Sequence, residues 1–170
     1  ERHGVGYHIH VAEGPEDPKD ALARSGRRTV GRLVDLGICG DRSLFIHCIN
    51  IDAEEKELLV QSGTNVVHNP ESNMNNAVGV APVLDLLEAG IPVGLGTDGM
   101  SSDMPAQMRC AYLLHRLDRR DPRVAFVEAP QLLLWNNAAL ANRFFPVRLG
   151  TIAEGAAADL ALLDYRPPTR

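Results

Sequence analysis

Five side chains in this sequence suit hydrolytic chemistry: His10 and Glu13 in "HIHVAEG" (8–14), His47 in "LFIHC" (44–48), His68 in "NVVH" (65–68), and Asp98 after "IPVGLGT" (91–97). Each stands at or just past the carboxyl end of an apolar run that reads as a strand. Packing gives a buried strand no reason to hold an imidazole or a carboxylate there. Together these groups suit a divalent transition metal. A catalytic metal takes about three protein ligands, keeps a position for water, and lowers the pKa of that water to about 7. His10 and Asp98 suit ligation, and Glu13 suits transfer of the water's proton to a leaving group. Strict alternation would aim Glu13 away from His10, so the chain must turn at 12–14, where Gly14-Pro15 is a fitting place. A lone histidine at a strand end is more often hydrogen-bonded structure. Four successive strands ending in His or Asp favour a site.

Other candidates have blander readings. His8 shares the face of His10 but reads as deeper and structural, while His3 and His115 read as surface residues. Ser102 and Asp103 serve equally well as caps for the helix that Pro105 opens or as groups near the metal. The run "HRLDRRDPR" (115–123) reads as a solvated helix end. "GTIAEG" (150–155) lacks the strand-to-helix context of a nucleotide loop, and no Ser–His–Asp spacing stands out.

The elements that must position these groups follow a strand–loop–helix rhythm. Strands are expected at 7–12, 44–48, 65–68 and 91–97. Helical stretches are expected at 16–36, in two pieces around Gly26, and at 80–89, 104–119 and 129–143. Another helix starts at Asp52, an N-cap whose capping box is completed by Glu55, and stops at Gly63. Strands separated by helices imply a parallel sheet, and apolar strands without clean alternation imply cover on both faces. In such sheets and barrels the carboxyl ends of strands carry the active site. The texture changes after Gly150. Residues 159–164, "DLALLD", read as one more strand with no helix after it. The expected division is an α/β unit over 1–148 and the start of a small β element over 149–170.

Composition narrows the classes. With 170 residues and 45 % apolar content, the chain has material for one domain with a core. A net charge of -5 with both signs scattered argues against nucleic-acid and anionic-membrane partners, and no apolar run approaches the ~20 residues of a membrane helix. Three separated cysteines without C-x-x-C suit a reducing, cytoplasmic setting. The first residues, "ERHGVGYHIH", resemble neither a signal nor a transit peptide, lack an initiator Met, and begin almost inside a strand. The chain therefore reads as a piece of something longer.

Taken in order, "HVAE" (10–13), "HC" (47–48), "HNPESNMNNAVG" (68–79) and "GLGTDGMSSD" (94–103) resemble the amidohydrolase superfamily. The similarity is to its cytosine-deaminase-like branch, which includes guanine deaminase, S-adenosylhomocysteine deaminase and the triazine hydrolases. With "DPRVAF" (121–126) added, the chain looks most like SsnA-type aminohydrolases, which are linked to selenium metabolism. The resemblance implies a (β/α)8 barrel beside a small β-sandwich, with one zinc ion or, alternatively, iron. By motif, His10 resembles the fifth-strand ligand and Glu13 the proton-shuttling acid. His47 resembles the sixth-strand histidine that faces the water or substrate and sometimes binds the metal. Asp98 resembles the eighth-strand ligand and base. His68 and Asn69 match a turn near the substrate, and Ser102 a polar loop position near the site. The tail resembles the return into the β-sandwich.

The family's first-strand H-x-H pair is absent, because "VAE" after "HIH" marks residues 8–10 as the fifth strand. The chain therefore matches strands five to eight of the barrel. Its expected partners are the other half of its own barrel and a small-molecule substrate, with self-association into a homo-oligomer left open. Alone it should bind metal weakly and turn over nothing. For the intact parent the expectation is hydrolytic deamination of an aminated heterocycle. The alternatives are hydrolysis of an amide or another leaving group on the same scaffold, and a non-catalytic relative that binds a small molecule or partner.

Overall fold

The computed structural model describes residues 4–162, 164 and 166. Its centre is a four-stranded sheet, all parallel, in the order β1 (His8–Val11), β2 (Leu44–His47), β3 (Asn65–His68), β4 (Val93–Leu95). Helices α1 (Glu16–Ser25) and α2 (Thr29–Asp35) connect β1 to β2, and α3 (Ala53–Ser62) connects β2 to β3. Helices α4 (Pro70–Asn75) and α5 (Val83–Glu88) lead to β4. After β4 come α6 (Met104–Arg119), α7 (Glu128–Gln131), a π-helical turn (Leu132–Asn136) and α8 (Asn137–Ala141). The parallel α/β reading holds. Strand β3 matches the expected 65–68, while β1, β2 and β4 are shorter than their apolar runs, because the ladder stops where the chain bends into the loops above the sheet.

Local chemistry sets the boundaries. The helical stretch at 16–36 divides at Gly26, whose φ of 70° ends α1 and lets its N–H reach the Leu22 carbonyl. The capping box of α3 forms as expected: Asp52 accepts from the Glu55 N–H at 2.9 Å, and Glu55 accepts from the Asp52 N–H at 3.1 Å. Glu55 is buried and accepts further bonds from Val30 N–H (2.8 Å) and Arg28 Nε (2.9 Å), which ties α2 to α3. Helix α5 starts only at Val83, since Pro82 has no N–H to give and stands as its cap.

Phe45, Val66 and Val93 share one register row and are fully buried against Leu59, Leu86 and Leu132 of the helices. Burying a side chain such as Phe45 contributes roughly 2–3 kcal/mol. This face of the sheet packs on helices, and the opposite face carries His10 and its register partner Ile46.

One expectation is refined and two need correction. The helical stretch expected at 129–143 forms as α7, the π turn and α8 in succession, and the π turn brings both Asn136 and Asn137 to the edge of β4. Their amides bond Val93 O (2.7 Å), Leu95 O (2.9 Å) and Leu95 N–H (2.8 Å). Residues 159–162 and 164 form no strand, and Leu163 lies outside the described residues; a strand needs a partner, and Leu160 and Leu162 stand exposed without one. A single parallel bridge, Arg148 to Ala156, is the only β pairing seen after Gly150 among the described residues. His115 is buried rather than on the surface, because α6 turns that face toward the sheet. His3 lies outside the described residues. Among the described residues, no helix is long and apolar enough to cross a membrane.

Candidate functional site

Three strand ends reach the site by leaving strand geometry. Ala12 takes φ 50°, and this is the turn that Glu13 requires to join His10. The Glu13 and Gly14 N–H groups then donate to Asp17 Oδ2, and Asn50 Nδ2 donates to the Glu13 carbonyl. His47 takes φ 74° and Cys48 φ 50°. Alternation from Ile46 would send His47 to the helical face, and the left-handed step returns it to the face of His10. Asp98 takes φ 52°. Non-glycine residues resist this region, and such strain collects at functional sites.

The outcome is one cluster. His47 Nε2 lies 3.5 Å from Glu13 Oε2 and 3.6 Å from Asp98 Oδ2, and His10 Nδ1 lies 3.8 Å from Glu13 Oε2. The rings of His10 and His47 meet edge to face at 4.8 Å. His47 is fully buried, Glu13 and Asp98 are partly covered, and the His10 side chain is 55 % exposed because β1 is a sheet edge. For the same reason His8 is exposed, not deep. The Ser72 hydroxyl donates to Asp98 Oδ2 at 2.5 Å. This bond, with help from nearby His47, holds the Asp98 carboxyl below its usual range, although burial opposes it.

A cation fits this arrangement. Ligand atoms of His10, Glu13 and His47 all lie within 4.8 Å of one another, with Asp98 beside them. His47 Nε2 is buried without a hydrogen-bond partner. A buried imidazole nitrogen left open between two carboxylates is an arrangement that a divalent metal satisfies.

The other expected site residues go elsewhere. His68 keeps strand geometry, so alternation places it with Val66 on the helical face. Its ring lies 5.0 Å from that of His115, and burial pushes its pKa well below the usual histidine value. Asn69 is buried at the end of β3, with Oδ1 unpartnered beside Gly96, where a Cβ would collide with it. Ser102 is exposed and forms no hydrogen bond with the cluster among the described residues. Its neighbour Asp103 accepts from Ala106 N–H at 2.9 Å and is the cap of α6.

Three contacts were missed by the sequence reading. Ser72, Asn73 and Asn76 bond Asp98, His47 and Glu13 respectively. Their signal was present in "ESNMNN": a hydroxyl and two amides at i, i+1 and i+4, just after a site strand, lie on one side of a helical turn.

Comparisons with known proteins bear on the family and the fold. The sequence profile of the amidohydrolase family matches residues 1–170. A 5'-deoxyadenosine deaminase of Methanopyrus kandleri is 38 % identical over 97 % of this chain and 39 % of its own length. A 5-methylthioadenosine/S-adenosylhomocysteine deaminase of Syntrophobacter fumaroxidans is 38 % identical over 98 % of this chain and 39 % of its own length. The crystal structure of an adenosine deaminase from Xanthomonas campestris with bound zinc superposes with a TM-score of 0.80 at 28 % identity, covering 91 % of this chain and 36 % of that one. The chain thus spans about two fifths of the length of the relatives it matches. Profile, identity and superposition agree that the chain belongs to the amidohydrolase family.

Proposed function

We propose that the protein carrying this chain is a metal-dependent aminohydrolase that replaces the amino group of an aminated heterocycle by oxygen and releases ammonia. The supporting observation is the cluster of His10, Glu13, His47 and Asp98 around an unpartnered, buried imidazole nitrogen. The substrate class is an adenine-bearing nucleoside. It is drawn from the names of the matched deaminases rather than from the SsnA-type likeness.

In this reading β1 to β4 are strands five to eight of a (β/α)8 barrel over residues 1–148, and residues 149–170 begin a β-sandwich. Half of the barrel wall lies in the rest of the protein. Free thiols at Cys39, Cys48 and Cys110 support a cytoplasmic location.

His10, His47 and Asp98 would hold one divalent cation, zinc by likeness to the zinc-bound relative, or iron, which accepts the same N/O ligands. When bound, it polarises water and lowers the water's pKa toward about 7. Asp98 accepts the proton of the water that adds to the amino-bearing carbon. Glu13 donates a proton to the neighbouring ring nitrogen. The proton held by Asp98 then passes to the departing amine, the C–N bond breaks, and the hydroxyl proton of the adduct returns to Glu13, giving ammonia and the oxo product. Where His47 is not a ligand, its bare Nε2 accepts a hydrogen bond from the hydroxyl of the tetrahedral centre and steadies it. Of the three expected substrate contacts, Asn69 retains an unpartnered oxygen for this role.

The test uses the complete protein loaded with zinc or iron, with ammonia release measured over a panel of aminated purines, pyrimidines and nucleosides. Removing a proton-transfer group costs about 10²–10⁴ in rate, so Glu13→Gln is expected to lose at least about 100-fold in kcat. Wild type and Glu13→Gln both inert across the panel would overturn the proposal.

A further inference from the structure

We infer that the turn Ser72–Asn76 is a positioning platform that orients three groups of the proposed site at once: Asp98 through Ser72, His47 through Asn73, and Glu13 through Asn76. The inference rests on the reading of the site given above.

The contacts come from five consecutive residues. Ser72 Oγ donates to Asp98 Oδ2 at 2.5 Å, Asn73 Oδ1 meets His47 Nδ1 at 2.8 Å, and Asn76 Nδ2 donates to Glu13 Oε1 at 3.3 Å. These partners belong to the ends of β4, β2 and β1, so one turn touches three of the four strand ends. Ser72 and Asn73 are buried, and neither side chain is needed to cap or close α4, whose cap position makes no side-chain bond. The turn is itself anchored. Pro70 opens it, and Glu71 is bonded to the buried Gln107 of α6 through both its N–H and its carboxylate.

Asn73 has the most specific consequence. An amide oxygen can only accept, so His47 Nδ1 carries the proton and Nε2 carries the lone pair. That lone pair faces the space between Glu13 and Asp98. The reverse orientation of the amide would make Nε2 a donor and leave no free electron pair at the centre of the cluster. The amide therefore selects the imidazole form that can accept a proton or hold a cation. Ser72 similarly donates to Asp98 Oδ2, the same oxygen that lies 3.6 Å from His47 Nε2, and so fixes the rotation of the carboxylate. Partners of this kind typically govern affinity or activity by about 10–100-fold without touching substrate.

The experiment uses the complete protein and four variants: Asn73→Leu, Asn73→Asp, Ser72→Ala and Ser72→Thr. Ring 15N NMR of the metal-free protein, with the His47 signals assigned by their loss in His47→Gln, reads the tautomer independently of activity. Wild type and Asn73→Asp are expected to show a protonated Nδ1 and a bare Nε2, and Asn73→Leu a mixture. Steady-state kinetics should show kcat lowered about 10–100-fold in Asn73→Leu and Ser72→Ala with KM changed less than about threefold, and Ser72→Thr restored to near wild type. If Asn73→Leu does not fold, the Asn73→Asp tautomer and the Ser72 pair carry the test. A protonated Nε2 in wild type overturns the inference, as does Ser72→Thr being as impaired as Ser72→Ala. A protein that deaminates nothing sinks the proposed function, while the tautomer measurement still decides the role of Asn73.

Discussion

His47 stands at the middle of the cluster because one residue departs from strand geometry. It touches Glu13, Asp98, His10 and Asn73, whereas His68, at the equivalent place one strand on, stays extended and is lost to the helical layer. There it packs on His115, and three of the four ring nitrogens of this pair have no hydrogen-bond partner. Burial pushes His115 down to about 4, with Asp118 and Glu128 working against the shift and Arg119 adding to it. The sign follows directly. Between pH 6.5, the ordinary value, and about 4, the unfolded chain takes up a proton that the folded chain refuses. Stability is therefore fully present above 6.5 and falls as the pH drops through this window, by roughly 3 kcal/mol at most. His115→Leu removes that loss. Urea unfolding of the complete protein should show a drop between about pH 7 and pH 4.5 that is smaller in the variant by about 2 kcal/mol. Equal drops would mean that His115 is not held neutral in the fold.

At the scale of elements, β4 is the strand whose position matters most, since Asp98 follows it by three residues. Its outer edge is bonded by side chains: the Asn137 amide both accepts from Leu95 N–H and donates to Leu95 O, as a neighbouring strand would, and Asn136 takes Val93 O. Gly94 lets the helices approach this closely, since a Cβ there would press on Asn137 and Leu140. In this chain produced by itself, Asn137→Ala is therefore expected to speed hydrogen exchange at the Leu95 amide by at least about 10-fold, with the Val66 amide, bonded within the sheet, unchanged. An unchanged Leu95 rate would mean that the amide pairing does not hold the edge. None of this edge was legible in the sequence, because "WNNAAL" reads as uninterrupted helix and a π turn leaves no compositional mark. The parallel sheet, the break at Gly26 and the capping box at Asp52 were legible because each depends on local chemistry: apolar runs, a left-handed glycine, a carboxylate three residues from another. Glu13 and His47 were legible as residue types at strand ends. The backbone steps at Ala12 and His47 that join them were less so, because alanine and histidine do not advertise a left-handed φ as glycine does. Helix α4 was missed entirely, since "PESNMN" is rich in residues that favour caps and turns, and its contacts with three strand ends outweigh that preference.

The whole molecule is asymmetric about its sheet. One edge, β4, is covered by the asparagines and helices just described, while the other, β1, pairs only with β2 among the described residues. Beside β1, a hollow lined by Val5, Tyr7, His8, Leu44, Phe144 and Phe145 stands open, and Tyr7 and Phe145 are each at least half exposed. The same asymmetry exposes His10 and leaves the cluster walled on one side only. A parallel edge with apolar neighbours pairs with whatever strand it meets. This 170-residue chain produced by itself is therefore expected to self-associate at micromolar concentration, as read by light scattering on size-exclusion fractions. Tyr7→Lys, which puts a charge on the exposed edge, should shift it toward monomer without lowering its thermal midpoint by more than a few degrees. In the complete protein the same substitution should act in the opposite direction and destabilise it by about 1–2 kcal/mol, because there a strand and its side chains are expected against Tyr7. A chain that stays monomeric alone, together with a complete protein indifferent to Tyr7→Lys, would mean that this edge is a free surface and that the barrel does not close across it.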